Sequence, residues 1–217
     1  MWMTLTACAL GLAAGVRHAF EPDHLAAVST LVTGARPGRA ALRFAAAWGA
    51  GHGAVLLAVG GLLFALRAEM PSRVADGLEL LVAFMLVVLG VRGIRRARAE
   101  PLSHEPAIEP PAPAASVTAL PFLVGTLHGL AGSGGLTAVV AAEQPSLARG
   151  LLTMGLYGIG AAVGMVALAG VATLPLRRQK ATGARVLAVL GTLASGVSVV
   201  VGLAWGAPVL HRMLGWA

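Results

Sequence analysis

Four long stretches of this chain carry no charged residue at all, and they decide what it can fold into. Phe44–Leu66, Pro110–Ala142, Gly150–Leu176 and Val186–Leu210 run for 23, 33, 27 and 25 residues. About 20 apolar residues span the hydrocarbon core of a bilayer, so each is long enough to cross once. Gly77–Val91 is shorter and holds Glu79 near one end, but tilt and interfacial placement make it a fifth candidate. A sixth surrounds Arg17, between the charge-free runs Met1–Val16 and Leu25–Ala35. The expected fold is an all-α integral membrane protein of about six transmembrane helices. Only 12% of residues are charged, against about a quarter in a soluble domain.

The net charge of +7 invites a nucleic-acid reading, and its distribution argues against one. Arg36, Arg39 and Arg43 lie in the first gap between apolar runs; Arg92, Arg95, Arg96 and Arg98 in the third; Arg177, Arg178, Lys180 and Arg185 in the fifth. Eleven of the 16 basic residues therefore sit in odd-numbered loops, while the even-numbered side holds Arg67, Arg73, Arg149 and Arg212. By the positive-inside rule the odd loops are cytoplasmic and both termini are outside, in a multi-pass protein of the inner (cytoplasmic) membrane. Met1–Ala14 lacks the basic start of a signal peptide and is expected to stay on the chain. Cys8 is the sole cysteine, which rules out an internal disulfide and a thiol-pair carrier.

The polar residues between the first two runs are concentrated in Arg17–His24, reading R-H-A-F-E-P-D-H. Ionisable groups at membrane depth are costly and mark function by default. Pro22 has no N–H for the carbonyl of His18, so a helix through this stretch, about Leu5 to Val32, must kink or widen. Imidazole, carboxylate and a freed carbonyl together suit a divalent transition metal. On an undistorted helix His18 and His24 stand about 120° and 9 Å apart and could not share an ion. Loosening at Pro22 would bring them together, or His52 and His128 would complete the site from neighbouring helices. Asp23 is either a ligand or a partner that orients a histidine ring. Arg17 is expected to act as a counter-ion to Glu21 or Asp23. The bland alternative is an interfacial polar cluster with hydrogen-bonded histidines.

His52 lies in Trp48-Gly49-Ala50-Gly51-His52-Gly53, and His128 in Gly125-Thr126-Leu127-His128-Gly129-Leu130-Ala131-Gly132-Ser133-Gly134-Gly135. Such glycine density marks tight helix packing or a ligand approach, and in the second case a broken or very closely packed helix. Residues 95–117, rich in Pro, Glu and Arg, read as a cytoplasmic linker that divides the chain into 1–94 and 118–217. His104 in that linker is given no role. The halves resemble each other: Arg17-His18-Ala19 aligns with Leu127-His128-Gly129, and Trp48-Gly49-Ala50-Gly51 with Tyr157-Gly158-Ile159-Gly160. Two repeats of three helices each must run in opposite senses through the membrane, an arrangement found in transporters. Trp205, His211 and Trp216 are placed at the interface.

R-H-A-F-E-P-D-H-L resembles the HX4DH signature of the nickel/cobalt transporter (NiCoT) family. The likeness is greatest to its compact UreH-like, high-affinity nickel permease members, and it extends over nearly the whole chain except the linker. Glu21-Pro22 stands where the family usually has Asp-Ala. Gly51-His52 is similar to a second signature, with Gly53 and Ala54 in place of its hydroxyl residues. The resemblance implies that His18, Asp23 and His24 recognise the metal; beside it, the residues themselves suggest His52 and His128 as further ligands and Arg17, Glu21, Pro22 and Ser133 in support. The resemblance also implies a secondary transporter of Ni²⁺ or Co²⁺, with no permanently bound cofactor and no enzymatic activity. No GxxxxGK[ST] motif supplies an ATP site. Two other classes remain open at this point: an accessory membrane protein that delivers metal without transporting it, and an intramembrane metal-dependent hydrolase in which the same ligands activate a water, with Glu21 or Asp23 as base and only Ser133 to suggest a side-chain nucleophile. Whether the chain works alone, as a homo-oligomer or as a subunit is also open.

Overall fold

The computed structural model of the protein describes residues 2–34, 39–99, 114–177 and 183–215. Every regular element among them is helical: α1 (Trp2–His18), α2 (Pro22–Gly34), α3 (Arg39–Val55), α4 (Gly61–Leu66), α5 (Ser72–Ala99), α6 (Ala114–Glu143), α7 (Leu147–Arg177) and α8 (Gly183–Met213). A single π-helical turn, Leu56–Gly60, joins α3 to α4 without a break. Five helical stretches are long and apolar enough to cross a membrane: Arg39–Leu66, Ser72–Arg98, Ala119–Val140, Leu147–Ala172 and Gly191–Met213. The outer surface is strongly apolar, with Leu10, Phe84, Val171 and Val200 about two-thirds exposed. Buried polar side chains face inward instead, the pattern of a bundle solvated by lipid.

The expected first helix is two helices. α1 and α2, of 17 and 13 residues, are each too short to span and are separated by a turn at 19–21. Pro22 becomes the first residue of α2, where its missing N–H costs nothing. The carbonyl of His18, expected to be freed, accepts the N–H of Glu21 instead (3.0 Å), and that of Arg17 accepts Phe20 (2.9 Å). The chain therefore breaks cleanly rather than kinks.

The glycine-rich segment of α6 does the opposite of breaking: the helix runs unbroken through Gly132, Gly134 and Gly135. In a bilayer an open helical turn leaves backbone groups without partners, so continuity wins over glycine's weak helix propensity. α3–α4 ends at Arg67, whose φ of 51° puts it in the left-handed region, and the N–H of Ala68 closes on Leu63 (2.9 Å) before Pro71. Residues 95–99 and 114–117, expected in the linker, belong to α5 and α6. Arginines in the last turn of α5 suit the negative end of its dipole. The rest of that linker, with His104, lies outside the described residues, as does Trp216. Trp205 and His211 are exposed near the end of α8.

Glycines set which helices touch. Gly15 of α1 packs on the carbonyl of Tyr157 in α7, and Gly160 of α7 on the carbonyl of Leu12. Likewise Gly125 of α6 packs on the carbonyl of Trp48 in α3, and Gly51 on that of Phe122. Gly11 on Thr153 and Gly164 on Ala19 make α1 parallel to α7, and Gly129 on His52 with Gly60 on Thr137 makes α3–α4 parallel to α6. α3 and α7 cross antiparallel, where a Cβ on Gly49 would lie 2.7 Å from Cα of Ala162 and Gly53 meets Gly158. α5 packs antiparallel on α8, tied by Ser198 donating to the carbonyl of Leu86 (2.9 Å). The glycine steps thus serve packing within one bundle. They also place the starts of α3 and α6 and the ends of α2, α5 and α7 at one arginine-rich end. Leu66, Glu143 and Leu147 lie at the other.

A candidate metal centre

The break at 19–21 re-aims the two histidines that a continuous helix would hold apart. The rings of His18 and His24 lie 4.5 Å apart, centre to centre. α3 brings His52 to 5.2 Å from each of them, and α6 brings His128 to 4.2 Å from His24 and 6.1 Å from His52. His24 and His52 are fully buried and His128 is 3% exposed. Close approach of the backbones makes this possible: a Cβ on Gly129 would lie 2.6 Å from the carbonyl oxygen of His52.

Asp23 sits under the cluster with both carboxylate oxygens engaged. Nδ1–H of His24 donates to Oδ1 (3.1 Å), and Nε2–H of His128 donates to Oδ2 (2.6 Å). Those bonds fix the remaining nitrogens, Nε2 of His24 and Nδ1 of His128, as lone-pair atoms. Neither has a hydrogen-bond partner, and neither do the two ring nitrogens of His52. An unpaired buried polar atom costs about 1–3 kcal/mol, and of these four nitrogens three carry a lone pair, since a neutral His52 is protonated on one of its two; together they mark a site adapted to something that binds nitrogen lone pairs. Carboxylate-held imidazoles with free second nitrogens are the usual way proteins orient metal ligands.

The donor atoms also have suitable spacing. One ligand atom each from His18, His24 and His52 lie within 4.8 Å of one another, as do one each from Asp23, His24 and His128. An ion with nitrogens at about 2.0–2.1 Å holds tetrahedral donors roughly 3.4 Å apart, so closure requires side-chain adjustments of little more than an ångström. His24 is common to both sets.

The supporting residues divide. Glu21 is half-exposed and accepts Nδ1–H of His18 (2.9 Å), so it orients that ring. Arg17 is exposed and is not the counter-ion of either carboxylate: Glu21 pairs with His18, and Asp23 with His24 and His128. Ser133 is buried, but its hydroxyl donates to the carbonyl of Leu130 in its own helix (2.8 Å), about 7.5 Å of rise beyond His128. Two aromatic residues that sequence reading left as packing residues line the cluster. Trp48 stacks on His24 (5.9 Å, 10°) and lies 5.9 Å from His128. Tyr157 lies 5.4 Å from His18. The position of Trp48 one turn before His52 was the available signal.

No protein-family profile matches the chain, and no solved structure matches it. Among curated proteins it is similar to the urease accessory protein UreH of Bacillus sp. (strain TB-90), at 27% identity over 180 residues. The match covers 79% of this chain and 78% of that protein. It spans most of the helical bundle, so the UreH-like resemblance read from R-H-A-F-E-P-D-H-L extends well beyond one motif: the chain resembles a urease accessory protein of the UreH kind over about four-fifths of its length.

Proposed function

We propose that the protein is a secondary transporter moving Ni²⁺ or Co²⁺ across the cytoplasmic membrane, with His18, His24, His52 and His128 as ligands and Asp23 anchoring His24 and His128. The observation that carries this reading is four unpaired, buried imidazole nitrogens gathered in one cluster, on His24, His52 and His128, with Asp23 holding two of those three rings by their other nitrogens. Neutral imidazoles favour nickel, cobalt, copper and zinc over magnesium or calcium. The similarity to a urease accessory protein favours a role in metal supply.

The transporter architecture we infer is a pair of inverted repeats, 1–94 and 118–217, joined through 95–117. Its support is the reciprocity of the glycine contacts. Gly15 on Tyr157 corresponds to Gly125 on Trp48, and Gly160 on Leu12 to Gly51 on Phe122, with each residue 109 or 110 positions from its counterpart. α1 with α2 then forms a discontinuous span opposite the continuous α6, and the ligands gather at that one break, near the midplane where inverted-repeat transporters bind their substrates. The arginine-rich end faces the cytoplasm. A second reading, an accessory membrane protein that hands metal to an enzyme, is favoured by the name of the relative. The hydrolase reading gains no support from Ser133, whose hydroxyl donates to the carbonyl of Leu130 in its own helix.

Cellular metal content separates these readings. Cells making wild type or His24→Ala are given Mn, Fe, Co, Ni, Cu and Zn and measured by mass spectrometry. Nickel or cobalt is expected to rise with wild type and not with the variant. A fall that depends on His24 would mean export through the same site. No change for any metal, with the protein present in the membrane, would favour the accessory role.

A further inference from the structure

The two aromatic side chains at the histidine cluster are placed as a pair. Tyr157 meets α1 at the level of Gly15, three residues before His18. Trp48 meets α6 at the level of Gly125, three residues before His128. With about 1.5 Å of rise per residue, each aromatic lies one level, roughly 4.5 Å, from its histidine. Because α1 and α6 run in opposite directions, the two levels fall on opposite sides of the cluster. Tyr157 stands toward the Leu66–Leu147 end and Trp48 toward the arginine-rich end. The ring contacts repeat the relation: Tyr157 to His18 at 5.4 Å, Trp48 to His128 at 5.9 Å.

The two sides are not equally closed. Trp48 is fully buried, and its stacking partner His24 is too. Tyr157 is only half-buried, the side chain of His18 is 14% exposed, and Glu21 beside it 39%. A cavity of about 790 Å³ also opens at the Leu66–Leu147 end of the bundle, the end toward which Tyr157 stands; its wall of Arg67, Glu69, Met70, Gly134 and Thr137 does not include Tyr157 but reaches Ala131, one turn from His128. The indole N–H of Trp48 is buried with no partner. A side chain fixed permanently in place usually anchors that group; one that must swing away has reason not to.

We propose that Trp48 and Tyr157 are the two gates of the metal path, one on each side of the ligand cluster, and that this conformation is closed at Trp48 and open at Tyr157. The inference rests on the transporter reading above. In each half-cycle one aromatic would cover the loaded site while the other withdraws, and the near-equivalent positions 48 and 157 let one rocking motion exchange them.

Counterflow in proteoliposomes tests the pair. Vesicles holding the full-length protein are loaded with unlabelled Ni²⁺ and given radioactive Ni²⁺ outside, and Ni²⁺ binding is titrated separately in detergent. Wild type is expected to accumulate label transiently above equilibrium, as a carrier with one closed gate does. Tyr157→Ala and Trp48→Leu are expected to bind Ni²⁺ within about threefold of wild type but to lose the overshoot, letting label simply equilibrate. Tyr157→Phe and Trp48→Phe keep an aromatic plane and should keep it. Tyr157 is the safer position to truncate, being half-exposed, so a folding defect in the Trp48 variant leaves the test intact. An unchanged overshoot in Tyr157→Ala, or binding lost by more than tenfold in both truncations, would overturn the gates and leave the transporter. Wild type without overshoot would overturn the transporter reading itself, and the gates with it.

Discussion

Asp23 shows how much one residue can organise. Its two oxygens hold His24 and His128, from different helices, by opposite ring nitrogens. Each bond selects a tautomer and turns the other nitrogen toward the cluster. Asn at this position keeps the size but replaces one acceptor with a donor, which faces an N–H and forces one ring to flip. Asp23→Asn is therefore expected to weaken Ni²⁺ binding by about 10–100-fold, the usual effect of losing a group that orients a ligand. Calorimetric titration measures it, with circular dichroism checking that the helices remain. His52, whose two nitrogens lack partners, has no such anchor. His52→Ala should cost affinity without disturbing the pair held by Asp23.

At the scale of elements, the break between α1 and α2 makes the site. Pro22→Ala restores an N–H at the point where the chain now turns, and so permits the continuous helix in which His18 and His24 are about 9 Å apart along the axis. We expect thermal stability in detergent to hold or rise while metal affinity falls at least tenfold, a divergence that a general folding defect would not give. A disturbance at Pro22 was legible in the sequence, because proline lacks the N–H that the helical ladder needs, but a kinked single helix was expected where the chain breaks in two. The histidines were legible because imidazoles at membrane depth require a reason. The partner of each was not. Nothing local in R-H-A-F-E-P-D-H says that Glu21 takes His18 while Asp23 takes His24 and His128, leaving Arg17 outside. Those pairings depend on where α6 lies, and glycine spacing shows that a helix is closely approached without naming the neighbour. Of the two readings of the glycine-rich stretch of α6, a broken or a very closely packed helix, the structure has the second, and sequence could not choose between them because propensities for water do not rank helices in lipid.

For the whole molecule, the direction of each helix follows from a few contacts. Those contacts collect Arg39, Arg43, Arg92, Arg95, Arg96, Arg98 and Arg177 at one end of the bundle and leave Arg67, Arg73, Arg149 and Arg212 at the other, where Arg212 pairs with Asp76 (2.8 Å). The positive-inside rule then gives a sidedness that can be checked directly. In a Cys8→Ser background, Ser146→Cys should react with a charged, membrane-impermeant thiol reagent in intact cells. Arg95→Cys should react only after the membrane is opened. The reverse labelling would invert the orientation but leave the bundle unchanged.

The π-helical turn at Leu56–Gly60 settles a question of phase. His52 and Gly60 both face α6, the first against Gly129 and the second accepting the hydroxyl of Thr137 (3.3 Å). Eight residues of ordinary α-helix would rotate one about 80° away from the other; with one residue absorbed by the wide turn the offset falls to about 20°. The turn is thus a spare residue held in the helix, and its removal should be tolerated. Deleting Ala58 would convert Leu56–Gly60 to plain α-helix and lengthen nothing that touches the metal, whereas deleting Ala46, in regular helix, would turn Trp48 and His52 by about 100° relative to the preceding residues. Detergent-extracted yield and Ni²⁺ binding should survive the first deletion and fail with the second.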